Sequence, residues 1–146
     1  MVLLFYIKQF IVKKIMSKSE KVVAVSGGFD PIHIGHIRMM KEAKALGDKL
    51  VVIMNNDNWL KQKKGFVFMP ELERKEVIEA LECVDEVVVT KHEANSDDTS
   101  VCNALEEVRP DIFANGGDRK QDNVPEVATC EKIGTEMVFN LSLIHI

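Results

Sequence analysis

The chain has 146 residues, 46% of them apolar and 29% charged, with a formal net charge of −4 at neutral pH. That length suits one domain with a single core and leaves no room for two ordinary ones. The acidic balance speaks against a general nucleic-acid or membrane-surface role, both of which need a basic excess.

In chain order, residues 1–19 read as an extension outside the fold. The segment is apolar at its start but interrupted by Lys8, and falls short of the roughly 20 apolar residues that span a bilayer. It lacks the small-residue cleavage site of a signal peptide. Met16 opens a sensible polar start, so a misplaced start codon is the expectation. A single domain is expected over residues 20–140. It begins with an apolar run at 21–26 that reads as a first strand. Residues 35–46 follow helical periodicity through Ile37, Met40, Ala43 and Leu46, with Gly47 as the stop. Residues 49–54 form a second strand, closed by the polar turn 55–58 and a lysine-rich loop holding Lys61, Lys63 and Lys64. Pro70 stands near the first turn of the next helix. A third strand is expected at 84–90, a helix at 97–108, a fourth strand at 111–114, a helix at 124–133 and a fifth strand at 137–139. Residues 141–146 read as a non-native tail that breaks off a truncated sequence. Apolar strands alternating with helices predict an α/β, doubly wound, five-stranded parallel sheet. The three cysteines, Cys83, Cys102 and Cys130, include no CxxC pair. A reduced, cytoplasmic setting is therefore expected, with neither a disulfide framework nor a zinc ribbon.

The chemistry concentrates after the first strand, in Ser26-Gly27-Gly28-Phe29-Asp30-Pro31-Ile32-His33-Ile34-Gly35-His36. Glycines let the backbone approach a ligand closely, and the following helix start offers free N–H groups to an anion. Taken alone, Gly27 and Gly28 read equally well as a tight turn. His33 and His36 share one face of that helix start, with Gly35 leaving room between them. Their N–H groups suit the non-bridging oxygens of a phosphate under attack. Helix capping and a zinc pair are the other readings of the two histidines. No third ligand is placed by the sequence, so no protein-held metal is expected. Adjacency to the glycine turn favours the phosphate reading. A second glycine turn, Gly116-Gly117-Asp118, follows the fourth strand. If the first and fourth strands are neighbours, both turns border one cleft at the switch point of the sheet.

The segment from Gly28 to His36 resembles the GxFDxxHxGH signature of the cytidylyltransferase-like nucleotidyltransferases, with their Rossmann-like, HUP-type fold. Ala45-Leu46-Gly47-Asp48, Asn56-Asp57, Lys61-Gln62-Lys63-Lys64 and Glu73-Arg74 resemble further segments of that superfamily. The look is closest to glycerol-3-phosphate cytidylyltransferase and to heptose 1-phosphate adenylyltransferase. The resemblance implies transfer of CMP or AMP from CTP or ATP to a small phosphorylated alcohol or sugar, with release of pyrophosphate. It casts His33, His36 and Lys63 as catalytic. Gly27, Gly28, Phe29, Asp30, Gly35, Lys61, Arg74, Gly116, Gly117 and Asp118 become nucleotide-binding. It implies Mg²⁺ carried with the triphosphate, and a homodimer as in similar enzymes. Exposed lysines in a solvated loop, an Asx-turn at Asp30 and a plain turn at Asp118 are the structural readings of the same residues. The superfamily's later hydroxyl-rich triphosphate signature does not appear. Its absence keeps open a non-catalytic nucleotide-binding module. His33-Ile34-Gly35-His36 also spells the HIGH tetrapeptide of class I aminoacyl-tRNA synthetases, but the chain lacks room for a tRNA-binding domain.

Overall fold

The computed structural model describes residues 2–116 and 125–141, with 12–19 described by backbone alone. Five parallel strands form one sheet: β1 (Val22–Gly27), β2 (Lys49–Met54), β3 (Glu86–Val89), β4 (Ile112–Gly116) and β5 (Glu136–Leu141). Their spatial order is β3-β2-β1-β4-β5. The chain therefore winds one way from β1 to β3 and back past β1 to β4, which puts a switch point between β1 and β4.

The period-2 alternation of the strands divides the core into two layers. Val23, Val25, Leu50, Val52, Met54, Ile112 and Ala114 pack on one face with Met39, Met40 and Ala43 of α2 (Ile34–Lys44) and Ile78 of α4 (Glu71–Glu79). Ala24, Ile53 and Phe113 face the other way, against α5 (Cys102–Val108) and α6 (Val127–Ile133). Burial on both faces explains why the strands read as unbroken apolar runs. This is the doubly wound α/β sheet expected from the sequence.

Two elements depart from expectation. The lysine-rich segment is a helix, α3 (Asp57–Lys64), not a loop. Its start is fixed by Asn56, whose Oδ1 accepts the Trp59 N–H at 3.0 Å, and its end by Gly65 in the left-handed region at φ 82°. The helix expected at 97–108 begins only at Cys102. Before it, the Asp98 carboxylate accepts the Ser100 N–H at 2.9 Å and the Ser100 hydroxyl at 2.6 Å, a local turn that competes with helix. The extension forms α1 (Val2–Ser19), on which Val2, Leu3, Leu4, Phe5, Tyr6, Ile7, Phe10 and Ile11 are all exposed. Among the described residues no helix is long and apolar enough to cross a membrane.

Candidate active site

The loop from β1 to α2 is built on glycine at its base. A Cβ on Gly28 would stand 3.0 Å from Leu60 and 3.1 Å from Trp59, and one on Gly27 would meet the Phe29 ring at 2.9 Å. The space that the glycines leave is thus filled by the protein's own side chains. Phe29 adopts φ 51° and is 3% exposed. Its ring meets His36 edge-on, with centroids 5.2 Å apart. Its side chain is a support beneath the histidine.

His33 and His36 close the first turn of α2 on each other. The Gly35 N–H donates to His33 Nδ1 at 3.1 Å, and the His33 N–H donates to His36 Nδ1 at 3.2 Å. Two of the orphan amides of the loop and helix start are satisfied this way, as in a capping box. The chemical consequence is larger than the cap. With both Nδ1 atoms accepting, each neutral ring carries its proton on Nε2. The rings lie 3.8 Å apart, centroid to centroid, tilted by 35°. Capping and phosphate binding, weighed as rivals from sequence, are therefore compatible uses of the same two rings.

Burial, and then the nearby His33 and Lys64, depress the His36 pKa to about 4. The ring is therefore neutral at physiological pH, a hydrogen-bond donor rather than a cation. Lys64 is the lysine that reaches this loop: its Nζ donates to the Asp30 carbonyl at 3.2 Å. Sequence reasoning singled out Lys61 and Lys63, which sit exposed in the same last turn of α3. Their ammonium groups make no hydrogen bond or ion pair among the described residues. The clue to Lys64 was its place immediately before Gly65, where the helix must stop.

Asp30 and Arg74, both expected near the nucleotide, are buried. Asp30 is 6% exposed, and its carboxylate accepts the N–H groups of Phe68 and Met69, both at 2.7 Å. Arg74 is 0% exposed. It donates to the carbonyls of Gly28 and Asn55 at 2.7 Å, to that of Met69 at 2.8 Å, and to Asp57 Oδ1 at 2.7 Å. A guanidinium removed from water needs such partners. Asp30 does not form an Asx-turn, and Arg74 is not an exposed helix residue. Both are positioning residues that lace three loops together.

Gly35 is buried in the first turn of α2. Gly116 ends β4, which lies beside β1 in parallel through the pairs Val23 with Ile112 and Ala24 with Phe113. Gly117 and Asp118 lie outside the described residues. Among the described residues no three His, Cys, Asp or Glu side chains converge to hold a metal. A separate cavity of about 740 Å³ opens between β3 and α5, lined by Val88, His92, Asp98, Asn103 and Arg109. No residue of the histidine loop lines it.

Residues 24–139 match the model of the cytidylyltransferase-like family. The chain belongs to that family. It is 40% identical to an FAD synthase of Thermococcus sibiricus over 109 residues, which cover 73% of this chain and 70% of the relative. It is 36% identical over 110 residues to the bifunctional protein HldE of Citrifermentans bemidjiense, spanning 74% of this chain but only 21% of that longer protein. The crystal structure of a lipopolysaccharide core biosynthesis protein from Thermoplasma volcanium superposes with a TM-score of 0.69 at 29% identity, covering 86% of this chain and 99% of that one. The cytidylyltransferase-like domain described here is accordingly an enzyme domain of the nucleotidyltransferase type.

Proposed function

We propose that the chain moves a nucleotidyl group from ATP or CTP to a phosphorylated acceptor. A phosphate oxygen of the acceptor attacks the α-phosphorus, the bond from that phosphorus to the bridging oxygen breaks, and pyrophosphate departs with the electron pair. The acceptor oxygen is already anionic, so no general base is needed. Catalysis then rests on alignment and on neutralising charge as it grows.

One observation carries this reading: two imidazole Nε2–H donors, stacked and locked in tautomer, at a helix start behind the first strand. Such donors act on the non-bridging oxygens of the α-phosphate, where each is worth about 2.7–4 kcal/mol in the transition state. A neutral His36 keeps its Nε2–H as a donor and carries no second, acidic proton at physiological pH. Lys61, Lys63 and Lys64 supply mobile positive charge for the triphosphate and the leaving pyrophosphate. Gly27, Gly28 and Gly116 border the nucleotide, and Gly117 and Asp118 are proposed to extend that border. Mg²⁺ would come with the triphosphate, whose oxygens and water suit its hard, oxygen-only coordination, and it would neutralise charge there.

Two acceptor classes fit. The FAD synthase relative favours flavin mononucleotide with ATP; the resemblance to the heptose 1-phosphate enzymes favours a sugar phosphate. Pyrophosphate release, measured with both nucleotides against a panel of flavin, sugar and polyol phosphates, should be robust for one pair. Tight nucleotide binding without release for any pair would replace this reading by a nucleotide sensor.

A further inference from the structure

Outside α1, the exposed large apolar side chains among the described residues are Ile34, Phe66, Phe68, Leu72 and Val77. All five belong to the start of α2 or to the segment that runs from the end of α3 into α4. Isolated exposed apolar residues need no explanation; their confinement to two adjoining segments does. Phe66 and Phe68, at 60% and 66% exposure, are the prominent members.

The backbone beneath them is fixed. Gly65 ends α3, and the chain is then caught by Asp30, which takes the amides of Phe68 and Met69, and by Arg74, which takes the Met69 carbonyl. The same Arg74 holds the Gly28 carbonyl, and Asp30 lies three residues before His33. One buried pair of charged side chains therefore sets where the aromatic loop stands relative to the histidine loop. A loop held this firmly, yet presenting two phenylalanines to solvent, has the form of a preorganised ligand surface.

We propose that Phe66 and Phe68 form an aromatic platform for the planar ring of the acceptor, so that the acceptor is a flavin mononucleotide rather than a sugar phosphate. This rests on the nucleotidyl-transfer reading. The loop belongs to the connection from β2 to β3, whereas β4 lies on the opposite side of β1. A nucleotide lying over β1 and β4 leaves the β2 side for the acceptor. A phenylalanine face can stack on the C–H face of a sugar, but a flat heterocycle covers it more fully, and the ring offers nothing to a sugar's hydroxyls.

The test is titration of flavin mononucleotide against the protein by flavin fluorescence, alongside pyrophosphate release. The wild type should bind the flavin with quenching. The double variant Phe66→Ser/Phe68→Ser should weaken flavin binding on the order of tenfold and lose the quenching, with ATP and CTP affinity unchanged. Phe66→Tyr/Phe68→Tyr should retain both. Unchanged flavin affinity in the serine variant overturns the platform, as does a wild type that ignores flavin but releases pyrophosphate with a sugar phosphate. A change only in sedimentation would overturn it in favour of self-association. Phe-dependent flavin binding without pyrophosphate from any acceptor keeps the platform and removes the transfer reaction instead.

Discussion

The floor of the site and its rim are both rich in charged and polar groups, but the two regions hold them under different obligations. On the floor, Asp30 and Arg74 are buried, Arg74 completely, and each is held by backbone groups of complementary sign. On the rim, His33 and His36 use one ring nitrogen for structure and keep the other, while Lys61 and Lys63 are exposed without partners among the described residues. Residues of similar chemical character, a few positions apart in sequence, thus divide into groups that hold loops and groups available to a ligand. Burial draws the line. A group already surrounded by partners has nothing left to offer a substrate.

Substitutions can break that division from either side. The largest effect is expected from Arg74→Met, which strands the Gly28, Asn55 and Met69 carbonyls and the Asp57 carboxylate. Urea unfolding should show a loss of about 3–5 kcal/mol, with activity falling only because the loops move. His36→Ala should act in the opposite sense. Steady-state kinetics should record a fall in kcat of about 10²–10³-fold with KM little changed, while unfolding shifts far less than for Arg74→Met. An unaltered kcat would remove His36 from the reaction. Asp30→Asn replaces one of two carboxylate acceptors by a donor facing an N–H group. A cost of about 1–3 kcal/mol should appear in the same unfolding assay, together with faster proteolysis of the 65–69 loop.

The smallest effect is a pH dependence that belongs to the rim. The His36 pKa lies near 4 in the folded chain, below the 6.5 of an ordinary histidine. Between those values the unfolded chain takes up a proton that the folded chain refuses. The contribution is therefore complete above about pH 6.5 and declines as pH falls toward 4. Unfolding midpoints compared at pH 7, 5.5 and 4.5 should fall more steeply for the wild type than for His36→Ala.

What was legible in the sequence follows the range of the forces involved. Buried parallel strands announce themselves as local apolar runs, so the sheet could be read directly. Helix α3 could not, because Trp59 and Leu60 are the apolar residues among eight and the helix is defined by its ends, Asn56 and Gly65. The histidine pair was legible from spacing and neighbourhood. The roles of Asp30 and Arg74 were not, since they include partners 38 and 46 positions away that only the folded chain brings together. Lys64 was visible as a member of a basic run, but its selection over Lys61 and Lys63 depends on where the helix turns.

The reciprocal bonds between His33 and His36 have a consequence for dynamics. The amides of His33 and Gly35 are protected from solvent exchange only while both rings hold their places. Fraying of the first turn of α2 and disassembly of the histidine pair are therefore one event, with one opening free energy. A nucleotide that engages the two distal nitrogens must slow deuterium uptake at two amides it never touches.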